Sequence, residues 1–368
     1  MDTNQQKIEE IVKQGDYRKI YDDLKNIDAL NNLVEELRQK YAERFKAMDF
    51  EPEQKIWELM AIENLYDSKT FQHSERTFEI ANEIITKTLI GPHEEKILLK
   101  TLLEESGITP HQVKVAAIGH DIGKIKIPKE ILHNTLTDNE MNHIFIDMIH
   151  RGVVKKETLE KTGLNTKESE KMSEDDIIKH LQDKGLRAVS FVPLSEAFPE
   201  KTQINLSKML SQHGLSSDHT IRQVAVIHEF VGQKIFEDMG EPIIADLVGH
   251  HHNYKKRKEH EMNHKISIPA LHVNGLDDEF GVYNIIKIAD AMDSLQSVRS
   301  YKKSMTKISA FAELIRQVSV NWLEKRMLYL WMDNEYRELP ESSKKGEKEN
   351  VEKIEEFLRE TKKLFTME

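Results

Sequence analysis

The chain contains no cysteine, which excludes disulfides and thiolate metal sites. Any metal must be held by His, Asp or Glu, and there are 17 histidines to draw on. No apolar run approaches the ~18 residues of a membrane span. The polar start Met1-Asp2-Thr3-Asn4-Gln5 carries no signal-peptide pattern. These absences predict a soluble, cytoplasmic protein with no membrane partner. An excess of positive charge is missing too. The net charge of −11 disfavours polymeric nucleic acid and anionic lipid as partners. It leaves room for a small anionic substrate, because a metal cluster would dominate the field around itself.

Hydrophobic residues make up 38% of the 368 and charged residues 32%, enough for a sizeable core beneath a heavily charged surface. Apolar residues at helical spacing run through most of the chain and predict an all-α fold. In residues 1–67 they include Ile8, Ile11 and Val12, then Leu30, Leu33, Val34 and Leu37, then Trp57, Met60, Ala61 and Leu65. No catalytic constellation is visible there. A helix beginning near Ser68 carries His73, with Arg76 three residues on, and Gly91-Pro92 is expected to end it. Thr109-Pro110 starts a further helix, whose apolar run Val113–Ile118 leads into His120-Asp121-Ile122-Gly123-Lys124.

Residues 133–217 are rich in Lys, Glu, Asp and Ser. They read as an insertion of short, surface-lying helices, with His143, His150, His180 and His213 mostly on the surface. Regular helix returns at Asp218, a candidate N-cap, and carries His228. After the break Gly240-Glu241-Pro242, another apolar helix ends in His250-His251-His252. The run Lys255–Lys258 is strongly basic. From Val282 an apolar helix carries Asp290 and Asp293, and carboxylates so placed need partners. Residues 306–368 add C-terminal helices, including a final amphipathic one from Val351 to Phe365, with Ser342–Glu347 as a linker. The terminal helices are candidates for packing or for homodimer formation.

A vicinal His-Asp pair at the end of a buried helix is a weak signal alone. The neutral imidazole can donate to a metal and the carboxylate can bridge two. Single histidines at 73 and 228, the pair at 120–121, adjacent histidines at 250–252 and a carboxylate at 290 strengthen it. All fall on separate helices, as a helical bundle needs to build a two-metal cage of nitrogen and oxygen ligands.

This order resembles the HD superfamily of metal-dependent phosphohydrolases, and more closely its HD-GYP branch, whose members hydrolyse cyclic dinucleotides, chiefly cyclic di-GMP. HDIGKIKIPKEIL (120–132) is similar to that branch's signature. IHEFVGQKIF (227–236), IADLVGHHH (244–252) and IADAMDSLQSVRSYKK (288–303) are similar to its later motifs. The resemblance spans roughly residues 68–305 apart from the insertion. It implies an HD-domain helical bundle with helical additions at both ends.

The resemblance also implies two divalent transition-metal ions (Fe, Mn, Zn or Ni). Their ligands would be His73, His120, Asp121, His228, His251, His252 and Asp290, with His250 a neighbour of the pair. Asp121 and Lys124 become the catalytic residues, and Arg299 and Tyr301 join Lys124 in binding substrate. Where the branch has its GYP loop, this chain has Asn253-Tyr254 and then Lys255, Lys256 and Arg257, cations suited to a substrate with more than one phosphate. Where some relatives place a Glu one turn before the first His, this chain has Lys69, so two ions are expected rather than three.

The expected activity is hydrolysis of a phosphate ester bond in a cyclic dinucleotide or related nucleotide by a metal-activated water. Hydrolysis of another small phosphate ester and a catalytically silent HD-fold binding protein stand as alternatives.

Overall fold

The computed structural model describes the chain except residues 1–27, 91–96, 106, 128, 133–137, 165–168, 170, 201–202, 204–206, 208–209, 212–214, 226, 253–281, 298–303, 320–324 and 365–368. In order, the helices are α1 (Asp28–Ala47), α2 (Gln54–Tyr66), α3 (Ser68–Lys87), α4 (Leu99–Glu105), α5 (Pro110–Gly119), α6 (Lys129–Leu132), α7 (Asp138–His150), α8 (Lys156–Thr162) and α9 (Glu174–Asp183). They continue with α10 (Leu194–Ala197), α11 (Ile221–Ala225), α12 (Ile227–Asp238), α13 (Pro242–Gly249), α14 (Tyr283–Gln296), α15 (Lys307–Ser319), α16 (Lys325–Glu338), α17 (Glu341–Lys344) and α18 (Lys348–Leu364). The fold is all-α. Its strand content among the described residues is one short antiparallel pair, Leu89–Ile90 with Ile97–Leu98. No helix among the described residues is long and apolar enough to cross a membrane.

The chain forms two compact units. The first takes residues 1–125, 229–298 and 303–368, and the second takes residues 126–228 and 299–302. In the first, α3 packs along α14 and α5, α13 packs on α5, and α1 and α2 close over α3. Residues 28–66 thus share a core with α3 and α5. Buried aromatic rings join them: Phe45 meets Phe78 at 5.1 Å and Phe50 at 5.3 Å between centroids, and Tyr41 meets Phe71 at 5.8 Å. Each such ring contributes about 1.5–3 kcal/mol by burial.

Local chemistry places these helices. Asp67 caps α3, its carboxylate accepting from the backbone N–H of Lys69 and Thr70. The α3 face Thr70, Phe71, Ser74, Thr77, Phe78, Ala81 and Ile85 is buried, and His73 lies among them. The helix ends at Lys87, ahead of the expected Gly91-Pro92, because Thr88 turns extended and its N–H bonds back to Ile84. Thr109 and Gln112 form a capping box at the start of α5, with Pro110 in the first turn. Every residue of α5 from Val113 to Gly119 is buried. Lys114 survives there because its Nζ donates to the Met48 and Asp49 carbonyls at 2.6 and 3.1 Å, at the end of α1.

Two close approaches need glycine. A Cβ on Gly119 would lie 2.7 Å from Cζ of Phe236, and one on Gly232 would lie 2.7 Å from Cγ1 of Val248. The C-terminal helices α15, α16 and α18 pack on one another, with α15 and α16 also meeting α14. The expected linker at 342–347 is partly helical, as α17.

The second unit departs from expectation. Residues 133–217 were expected to lie on the surface, yet they carry a core of their own. Met141, Phe145, Ile149, Leu159, Ile177, Leu181, Val192, Leu194 and Leu210 are all buried. Each short helix supplies only a turn or two of apolar spacing, so no single window reveals the face. His143 is exposed and bridges to Glu174, while half-buried His180 bonds the Thr162 carbonyl. Thr220 and Gln223, rather than Asp218, cap α11 with reciprocal bonds of 2.8 and 3.3 Å. His213 lies outside the described residues.

Candidate metal centre

Asp121 sits where α5 gives way to a 3-10 turn, Ile122–Lys126. Its side chain is almost fully buried, and Oδ2 lies 3.5 Å from Nε2 of both His73 and His120 and pairs with the Lys124 ammonium. One donor atom from each of His73, His120 and Asp121 falls within 4.8 Å of the others. Asp290, on α14, adds a second carboxylate: Oδ1 is 2.9 Å from His73 Nε2 and Oδ2 is 3.7 Å from His252 Nδ1. The imidazoles form a chain of ring contacts, His73 to His120 at 5.2 Å, His120 to His251 at 5.0 Å, and His251 to His252 at 4.1 Å.

Backbone carbonyls orient several rings. His120 Nδ1 donates to Ala117 at 2.9 Å, so Nε2 carries the lone pair. That Nε2 is buried and has no hydrogen-bond partner among the described residues. A buried lone pair facing carboxylates, with the opposite nitrogen tied to a carbonyl, is the posture of a metal ligand. His251 Nδ1 likewise donates to Val248 at 2.6 Å. His250 points elsewhere, with Nδ1 2.8 Å from the Asp246 carbonyl and 3.1 Å from its carboxylate. His228 is buried, the last residue of the second unit before Glu229 on α12, and its Nδ1 donates to the Ala225 carbonyl.

Electrostatics follow from burial and pairing. Burial alone would depress the His73 pKa. The hydrogen bonds to Asp290 and Asp293 overcome that and raise it to about 9. Asp290 is correspondingly held well below the carboxylate range, its burial outweighed by His73 and the neighbouring histidines. Burial lowers His120, and lowers His252 to about 4. Both favour the neutral imidazole that ligates metal.

Three buried groups beside these escaped sequence reasoning. Glu63 accepts from Ser74 Oγ at 3.2 Å, and burial together with the Asp121 charge raises it to about 8. Glu229 accepts from the His252 backbone, and burial raises it to about 7. Lys287, opposite that charge, is lowered by burial to about 8. Glu63 had a visible signal: it continues the buried positions Ile56, Leu59 and Met60 at helical spacing.

The structure therefore brings together His73, His120, Asp121, Lys124, His251, His252 and Asp290. Lys255, Lys256, Arg257, Arg299 and Tyr301 lie outside the described residues. Compared with protein-family models, with curated proteins and with solved structures, the chain matches none. Its class is set by fold and site alone: an all-α protein with buried His and Asp groups that could hold a metal ion.

Proposed function

We propose that the chain is a metal-dependent phosphohydrolase, a phosphodiesterase acting on a cyclic dinucleotide or related nucleotide. The observation that supports it best is the buried Nε2 of His120, without a hydrogen-bond partner among the described residues and set against Asp121 and His73. A nitrogen and carboxylate donor set without sulfur suits a divalent transition metal. His73, His120, Asp121 and Asp290 are the proposed ligands of one ion. The sequence resemblance would give a second ion His228, His251, His252 and Asp121 as ligands. Such ions supply Lewis acidity toward phosphoryl oxygens and make water a better nucleophile near neutral pH.

The chain's own groups do the rest. Lys124, a quarter exposed beside Asp121, is the cation placed to neutralise a phosphoryl oxygen. Carbonyl bonds on His120 and His251 keep each Nδ1 protonated, so each Nε2 would be the nitrogen that holds an ion. The basic run 255–258 suits a substrate with several phosphates.

The test is elemental analysis of protein purified without chelator, followed by turnover on cyclic di-GMP, a mixed cyclic dinucleotide and a plain phosphate monoester. Best turnover on a cyclic dinucleotide supports the proposal. Best turnover on the monoester moves the substrate to a smaller phosphate ester, and bound metal without turnover makes the chain a binding protein.

A further inference from the structure

The bonds that orient His120 and His251 come from backbone carbonyls of their own helix turns. His73 is held differently. Its Nδ1 donates to Asp293 Oδ2 at 2.6 Å, across from α3 to α14. Asp293 is in turn gripped from α3. Arg76 Nε donates to Oδ1 at 2.5 Å and Nη2 to Oδ2 at 3.2 Å, and Nη2 also reaches Ser297 Oγ at 3.0 Å. Ser297 Oγ donates to Asp293 Oδ2 at 3.1 Å. The carboxylate is nearly buried, whereas Arg76 is 43% exposed.

We infer that Arg76 is a positioning residue for the metal centre: its guanidinium fork fixes the Asp293 carboxylate, which fixes the ring plane and tautomer of His73. The inference rests on the proposed metal-binding reading. A carboxylate joined to Nδ1 leaves only Nε2 for a cation and increases its basicity. A carboxylate held at one point can rotate about its χ2 torsion, but one held by a fork and a hydroxyl cannot. Arg76 and His73 lie on one helix three residues apart, so α3 supplies both ligand and clamp. Asp293 and Asp290 stand in the same relation on α14. The two helices are thereby registered by the groups that would bind the ion.

Lysine would restore the charge at 76 without the fork, which separates orientation from electrostatic attraction. The experiment is direct titration of the metal-free full chain with Zn2+ and, separately, Mn2+, on wild type, Arg76→Ala, Arg76→Lys, Asp293→Ala and Ser297→Ala. Asp293→Ala is expected to weaken the tighter-bound ion by about 10–100-fold and Arg76→Ala by about 10-fold. Arg76→Lys should recover only part of the loss, and Ser297→Ala should change it least. In parallel, at a pH above the raised His73 value of about 9, where the metal-free ring is neutral, its nitrogen shifts should show mixed tautomers in Arg76→Ala and one tautomer in wild type.

Equal affinity in wild type and Arg76→Ala, with folding intact, overturns this inference and leaves the proposed function standing. Failure of wild type to bind either ion overturns both. If Arg76→Ala does not fold, Arg76→Lys decides: full wild-type affinity there overturns the role of the fork.

Discussion

Nδ1 of His73 and Oδ2 of Asp293, 220 residues apart in the chain, are joined by a 2.6 Å hydrogen bond. Oδ1 of Asp290, one helical turn earlier on α14, lies 2.9 Å from the opposite nitrogen of the same ring. Both nitrogens of one imidazole are therefore committed to carboxylates of a single helix, and a cation at Nε2 would enter a site whose geometry is already set.

Metal content is the first consequence. Protein purified without chelator should hold about two transition-metal ions per chain, and Asp121→Ala should lose most of them. Chelation should lower Tm by an amount that depends on the free-ion concentration, as for any ligand that binds only the folded state. Metal-free wild type by elemental analysis would remove the basis of the functional proposal.

The histidine triplet should divide by orientation. His250 is turned to Asp246, whereas His251 and His252 lie toward His120 and Asp290. If the chain has the proposed phosphodiesterase activity, His251→Ala and His252→Ala should each reduce it by at least ~100-fold, and His250→Ala by far less. Steady-state kinetics with metal in excess checks this; a His250 effect as large as the others contradicts the orientation.

The glycine at 232 should be intolerant of a single added methyl. Its would-be Cβ falls 2.7 Å from Val248 Cγ1, with the Gly123 amide 3.7 Å behind it. Gly232→Ala should cost about 1–3 kcal/mol, measured by urea unfolding. Adding Val248→Ala should return part of that loss, because it removes the clashing methyl. A double variant less stable than the sum of the two singles would show that some other contact is responsible.

Glu63 predicts a pH dependence in the metal-free protein. Folding raises its carboxyl from 4.5 to about 8 by burial and by the Asp121 charge. The neutral form therefore stabilises the fold fully below the unfolded value, and that stability is lost as pH rises through about 8. Glu63→Gln keeps a neutral group at every pH. Its Tm should match wild type near about pH 5 and exceed it by a few degrees near about pH 8.5. Parallel curves across that range would mean that Glu63 is ionised in the fold from the start.

Much of this centre is written locally. His73, His120 and the 250–252 run sit near helix ends or on apolar faces, and spacing alone marks Asp290 and Asp293 as carboxylates inside an apolar helix. The capping box of Thr109 and Gln112 is equally plain. Partnership is harder to read. Nothing near Arg76 in the sequence names Asp293, because that contact depends on α3 and α14 packing together. The core of the second unit escaped for a related reason: Phe145, Leu181 and Val192 lie on separate short elements, and their shared face exists only after folding. Asp218 and Thr220 are both acceptable caps by residue type; the Gln223 side chain decides for Thr220.

The chain order of α3 and α14 bears on how the protein is made. On the ribosome, α3 and α5 emerge well before α14, and residues 126–228 intervene. Those residues can collapse onto their own core while the rest waits, so the loop that must close behaves as a shorter one than the 217 positions between Arg76 and Asp293 imply. The His73 side of the centre is completed only when α14 docks. Any metallation of this site would thus come late in the life of the chain, and a nascent polypeptide stalled before residue 283 would display His73, His120 and Asp121 without the α14 carboxylates beside them.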